Sequence, residues 1–205
     1  IRRRTTRDAE PGTAPRRPPA LLAIGASTGG PGALVEVLGD LPSDFEVPVV
    51  LVLHIAEAFG PSFAAWLGEH ASLPVALAAD GAVPGRGVHM ASPGRHLVVE
   101  GGRLRVHAGP ERHACRPSVD VLFESVAREY GPAGAAVLLT GMGRDGAAGL
   151  LAVRQAGGRT IAQDEATSVV FGMPGEAVRL GAAERVLPLD RIGPAILHLS
   201  RPELR

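Results

Sequence analysis

The run Gly25-Ala26-Ser27-Thr28-Gly29-Gly30-Pro31-Gly32 sets a serine between glycines two residues before and after it, directly behind an apolar stretch. That spacing fits a nucleophile elbow, in which a sharp strand-to-helix turn exposes the serine oxygen. A helix opening just after it aims backbone N–H groups and a positive dipole end at the same point, which suits a developing oxyanion. Phosphate-binding readings of the same run fail. A Walker A loop needs Gly-Lys-Ser/Thr after its spacer, but Pro31 and Gly32 follow Gly30, and a dinucleotide fingerprint needs glycine where Ser27 stands. A turn with a purely structural role is the remaining alternative for this motif taken alone.

A serine hydroxyl needs a base within hydrogen-bond reach, and the base needs a carboxylate to hold its tautomer. Of the seven histidines, His54 ends the apolar run Val49-Val50-Leu51-Val52-Leu53. In open α/β sheets, ligands sit beyond the carboxyl ends of strands, where Ser27 and His54 would both lie. The same rule selects Asp145, in the glycine-rich segment 141–146 after the apolar run 135–140; its local alternative is the N-cap of the next helix. Asp164 and Glu165 follow another strand end and are rival orienters. Asp120 is a third, although it fits better as a first-turn helix residue. The chain order Ser, His, Asp differs from the Ser, Asp, His of α/β-hydrolases. Arg116 and Arg144 border the presumed site, either to hold acidic substrate side chains or as solvated or capping arginines. His107, His113 and Cys115 lie close together, but their spacing matches no common zinc pattern, so a solvated loop and an ordinary thiol are expected. The chemistry requires no metal and no cofactor.

The elements that must position these residues alternate along the chain. Strand-like runs at 21–25, 48–54, 75–79, 135–140 and 159–163 are separated by helix-compatible segments at 31–38, 61–69, 119–130, 146–156 and 174–182. Pro31, Pro61 and Pro174 each stand near a helix start, where a missing N–H costs little. The pattern predicts an α/β fold, doubly wound, with a mostly parallel sheet covered on both faces. One stretch breaks the alternation. Residues 88–91, then 96–100 and 103–107 around Gly101-Gly102, read as an antiparallel hairpin at one edge of the sheet. With aromatic residues at only 3%, the core must be built from Ala, Val, Leu and Ile at close backbone approach.

Lys+Arg 21 against Asp+Glu 21 argues against a basic nucleic-acid face, and a single cysteine excludes a disulfide framework. No apolar run has the length of a membrane span and no signal-peptide pattern is present, so a cytoplasmic protein without membrane insertion is expected. Residues 1–19, dense in Arg, Pro and Thr, read as a disordered linker or terminal tail before a domain over residues 20–205. The start at Ile1 and not at Met is compatible with a piece of a longer chain.

Four runs, in order, carry a resemblance: 25–31, Arg116-Pro117-Ser118-Val119-Asp120-Val121-Leu122-Phe123, Leu139-Thr140-Gly141-Met142-Gly143-Arg144-Asp145-Gly146, and 161–174, Ile161-Ala162-Gln163-Asp164-Glu165-Ala166-Thr167-Ser168-Val169-Val170-Phe171-Gly172-Met173-Pro174. Over residues 21–189 the chain resembles the catalytic domain of the chemotaxis protein-glutamate methylesterases (CheB). The resemblance implies Ser27 as nucleophile, His54 as general base and Asp145 as the buried carboxylate, with backbone N–H groups near Thr28 and Met142 stabilising the oxyanion. It implies hydrolysis of glutamyl methyl esters on the cytoplasmic helices of methyl-accepting chemoreceptors, and deamidation of receptor glutamines. Two other readings stand beside it: a related esterase or deamidase with a substrate outside chemotaxis, and a non-catalytic interaction module. The chain departs from the family in Leu53-His54-Ile55, where Gln-His-Met is common, and in showing no receiver domain before residue 19, so control by a receiver in cis or in trans stays open.

Overall fold

The computed structural model of the chain describes residues 17–200; residues 1–16 of the expected tail lie outside them. Chain order is β1 (Leu21–Ala26), α1 (Gly30–Gly39), β2 (Val49–Leu53), α2 (Gly60–His70), β3 (Val75–Leu77), β4 (Val88–Met90), β5 (His96–Glu100), β6 (Arg103–His107), α3 (Val119–Tyr130), β7 (Gly134–Leu138), α4 (Ala147–Gln155), β8 (Arg159–Gln163), α5 (Met173–Arg179), β9 (Arg185–Leu187) and α6 (Leu189–Ser200).

Seven strands form one sheet in the order β3-β4-β2-β1-β7-β8-β9, and every neighbouring pair is parallel. The two-residue period of a strand explains why β1 and β2 are apolar throughout. Leu22, Ile24, Val49, Leu51 and Leu53 point into one core with α1, α2 and α6; Leu21, Ala23, Val50 and Val52 point into a second with α3, α4 and α5. Strand order reverses at β1, whose neighbours are β2 and β7. A crevice at such a switch point is where open α/β sheets bind ligands.

The expected hairpin is present as a sheet of its own, β5–β6, rather than as added strands at the edge of the main sheet. Its apolar face covers the flank of α3: Leu97, Val99 and Leu104 are buried with Phe123 and Val126, and the Val99 N–H donates to Ser125 Oγ at 3.0 Å. Residues 88–90, grouped with the hairpin in the sequence pattern, instead make β4, paired in parallel with both β2 and β3. Val88 and Met90 are buried there, a gain that a solvent-side hairpin strand would forgo.

Candidate active site

Ser27, His54 and Thr140 follow β1, β2 and β7, whose carboxyl ends lie side by side. Ala26 pairs with Leu53, the His54 N–H donates to the Ala26 carbonyl at 3.0 Å, and the Ser27 N–H donates to the Thr140 carbonyl at 3.0 Å. The elbow turns at Gly29, the N-cap of α1, whose φ of 83° is left-handed and disfavours any side chain. On the other side the Gly141 backbone comes so close that a Cβ there would lie 2.8 Å from the Ser27 Cβ. The fourth motif braces this contact. Thr140 N–H donates to Oε1 of the fully buried Gln163 at 2.8 Å, and Thr140 Oγ1 donates to the Thr28 carbonyl at 2.9 Å while accepting from Val170 N–H at 3.0 Å.

Asp145 is 2% exposed and its carboxylate accepts four hydrogen bonds. Oδ2 receives His54 Nε2 at 2.9 Å and the Val119 N–H at 2.7 Å; Oδ1 receives Ser118 Oγ at 2.7 Å and the Asp120 N–H at 3.1 Å. Burial pushes this carboxyl up, but the bonds from His54, Ser118, Val119 and Asp120 outweigh it and hold it below its ordinary value. Asp145 therefore sits at the positive end of α3, whose N-cap is Ser118. It does not cap the helix that follows it. That place belongs to Gly146, with no side-chain bond.

An ionised Asp145 keeps the imidazole proton on Nε2, which leaves the lone pair on Nδ1. Cys115 Sγ stands 3.9 Å from that nitrogen. Ser27 Oγ, partly exposed, makes no hydrogen bond among the described residues; Ser27 and His54 are neighbours only in that they follow adjacent strands.

The rivals fall away from His54. Asp164 turns back to Thr167, bonding its N–H at 3.0 Å and its Oγ1 at 2.6 Å, and Glu165 is exposed. Asp120 lies beside Asp145 but receives Gly149 N–H at 2.6 Å and pairs with His113 Nε2 at 3.1 Å. His107 lies near His96, with ring centroids 5.5 Å apart, and is separated from His113 and Cys115, which stay together beside Asp145. Arg116 donates Nη1 to the Gly109 carbonyl at 3.2 Å, a bond that fixes a loop. Arg144 is exposed and donates Nε to His113 Nδ1 at 3.2 Å. With Met142, Gly143, His113, Cys115 and Asp145 it lines a hollow of about 490 Å³. A larger hollow of about 630 Å³ lies between the hairpin and α3, lined by Asp80, Arg105, Glu124, Arg128 and other residues, away from the elbow.

Sequence reasoning missed two groups. Ser118 and the first N–H groups of α3 cradle a residue 25 or more positions later, and Cys115 faces a histidine 61 positions earlier. The Ser118-Val119-Asp120 run carried a signal for the first, since serine at an N-cap marks an open helix start; nothing local marked the second.

A doubly wound α/β domain with a serine elbow beside a histidine held by a buried aspartate defines the class. The family model described as CheB methylesterase matches residues 22–196, and the chain belongs to that family. It is 50% identical over 199 residues to protein-glutamate methylesterase/protein-glutamine glutaminase 2 of Anaeromyxobacter dehalogenans (strain 2CP-C), covering 97% of this chain and 58% of the relative. To the protein-glutamate methylesterase FrzG of Myxococcus xanthus it is 48% identical over 186 residues, 90% of this chain and 56% of FrzG. The chain thus spans a little over half the length of these curated relatives. The crystal structure of the Thermotoga maritima CheB methylesterase catalytic domain superposes with a TM-score of 0.84 at 35% identity, covering 88% of this chain and 98% of that one.

Proposed function

We propose that this chain is the catalytic domain of a protein-glutamate methylesterase that also deamidates glutamine, acting through Ser27, His54 and Asp145 on cytoplasmic helices of methyl-accepting chemoreceptors. The observation that carries the reading is the His54–Asp145 pair, 2.9 Å apart, one strand over from the serine elbow. Ser27 Oγ attacks the ester carbonyl as His54 Nδ1 takes its proton. The imidazolium then returns the proton to the leaving methoxide, methanol departs, and a glutamyl ester of Ser27 remains. Water, deprotonated by the same nitrogen, hydrolyses that ester to a free carboxylate and restores the serine. With a glutamine side chain the leaving group is ammonia.

Charge developing on the carbonyl oxygen falls beside α1 and the 140–143 loop. Neither the Thr28 nor the Met142 N–H has a protein acceptor among the described residues, which suits both to an oxyanion. Arg144, exposed at the rim, offers a guanidinium to acidic side chains of the receptor helix; Arg116, already spent on Gly109, supports the loop rather than the substrate. Among the described residues no helix is long and apolar enough to cross a membrane. We place the enzyme in the cytoplasm, where such receptor helices lie, under control of a receiver domain in cis or in trans.

The test is methanol release from a methylated receptor fragment, and ammonia release from its amidated form, by this chain and by Ser27→Ala. Loss of about four to six orders of magnitude in the variant, with unchanged unfolding, is expected. Near-normal turnover by Ser27→Ala would sink the mechanism.

A further inference from the structure

We propose that Cys115 and His54 together form a thiolate–imidazole site for a borderline-soft divalent cation such as Zn²⁺, and that an ion there silences the esterase by occupying the base. The inhibitory half of this rests on the reading of His54 as base; the binding half does not.

The pair is set for one ion. Sγ and Nδ1 are 3.9 Å apart, whereas two ligands on a tetrahedral zinc, at about 2.3 Å and about 2.0–2.1 Å, stand about 3.6 Å apart. A shift of a few tenths of an ångström closes the difference. Nδ1 is the nitrogen that Asp145 leaves free, and the bond from Nε2 to that carboxylate is the outer-shell support that metal-binding histidines have. Asp145 lies within the same cluster of potential ligands, but its two oxygens are committed to four donors, so it serves from behind the ring.

The sulfur is also held in place. Arg112 and Cys115 exchange N–H···O bonds of 3.1 and 2.9 Å across a tight turn, with His113 and Ala114 at φ 53° and 58°, a left-handed pair without glycine. Such a turn persists only when its surroundings fix it. Here they do: His113 Nε2 meets Asp120 at 3.1 Å, and Arg112 grips Glu124 with both Nη groups at 2.8 and 2.7 Å. Cys115 lines hollows of about 490 and 310 Å³ on its two sides, which leaves room for water to complete the coordination. Sulfur and imidazole favour zinc, cadmium or cobalt over magnesium and calcium.

Binding exchanges the thiol proton for the ion: the S–H bond breaks, the sulfur lone pair goes to the metal, and the proton goes to solvent.

The experiment is a titration of the whole chain with Co²⁺, followed by Zn²⁺, read by absorption. A sulfur-to-cobalt charge-transfer band saturating at one ion per chain, displaced by Zn²⁺, is expected. The band should persist in Ser27→Ala, which has no turnover, and vanish in Cys115→Ser. In the hydrolysis assay, Zn²⁺ should inhibit the parent, and half-inhibition of Cys115→Ser should need at least about tenfold more. Absence of the band in the parent, or its survival in Cys115→Ser, overturns the site. Equal zinc sensitivity of parent and Cys115→Ser overturns the inhibition. Were the parent inactive on every ester, the band would still decide the metal site, and the failure would belong to the catalytic reading alone.

Discussion

Replacing Asp145 by asparagine turns one oxygen into an NH₂ group inside a cradle built wholly of donors. One orientation sets the NH₂ toward Ser118 Oγ and the Asp120 N–H; the other sets it toward His54 Nε2 and the Val119 N–H. In the first, the Ser118 hydroxyl can rotate to accept, and only the Asp120 N–H, the longest of the four contacts at 3.1 Å, is opposed. In the second, the shorter Val119 bond of 2.7 Å is lost and the imidazole must move its proton to Nδ1. The first orientation wins, so the histidine tautomer survives while the negative charge behind it disappears. One buried N–H left without a partner costs about 1–3 kcal/mol. Loss of the anion at the start of α3 adds about 0.3–1 kcal/mol, so the variant should unfold about 1.3–4 kcal/mol more easily at pH 7.

The pH dependence follows from the direction of the shift. Asp145 is held below its ordinary 3.8 in the folded chain, so the stability it contributes is present above that value and is lost as pH falls through the lower folded value. Urea unfolding of parent and Asp145→Asn should therefore differ most at pH 6–7 and converge as pH drops below about 4. Turnover should fall about 10²–10⁴-fold, less than in Ser27→Ala, because the imidazole keeps its lone pair and its partner but loses the anion behind it. A variant equal to the parent in both unfolding and turnover at pH 7 would refute the cradle and its role together.

Ser118→Ala should cost about 1–2 kcal/mol in urea unfolding, since it removes both the α3 cap and one bond to Asp145, yet lower turnover less than tenfold because His54 keeps its partner. Gly141→Ala sets a methyl 2.8 Å from the Ser27 Cβ; it should cost about 1–3 kcal/mol and lower kcat more than it raises KM, and an unaffected kcat would show that the loop does not position the serine. Arg144→Ala should raise KM several-fold for a receptor fragment with acidic residues beside the ester and much less for one with neutral neighbours; equal effects on both fragments would remove Arg144 from recognition.

Much of the fold was legible because a parallel sheet buried on both faces writes its strands as unbroken apolar runs, and each run here stops at the residue that matters: Ala26 before Ser27, Leu53 before His54. Asp145 was legible as a strand-end residue, but its local alternative, capping the next helix, could be dismissed only once α3 was seen to supply its donors. Those bonds join the start of α3 to a loop residue 25–27 positions later, and no periodicity reports them. Two short strands were harder to place. β9, three residues and largely exposed at the edge of the sheet, shows no alternation, and β4, equally short, reads from sequence as part of the hairpin that follows it. The last helix, α6, carries Pro194 in its interior, a residue that argues against a helix unless tertiary packing outweighs it; buried Ile192, Ala195 and Ile196 supply that packing.

Cys115 Sγ stands 3.9 Å from His54 Nδ1 and Ser27 follows the neighbouring strand, and the electrostatics of the site treats a thiol and a hydroxyl there differently. Burial raises the Cys115 thiol, and the Asp145 charge raises it further, to about 11. Burial likewise raises Asp120; the Gly149 N–H, Arg112 and His113 oppose the rise, and the same Asp145 charge adds to it. Asp145 itself is driven the other way by its four donors. One carboxylate, pinned at the start of α3, thus stays ionised and raises the two acidic groups beside it, Cys115 and Asp120. A thiol nucleophile must become an anion to react, so it is suppressed where it stands. A serine hydroxyl gives up its proton only as the bond forms, so it needs no anion beforehand. The charge that suppresses a Cys115 thiolate is thus compatible with the nucleophile proposed above, Ser27.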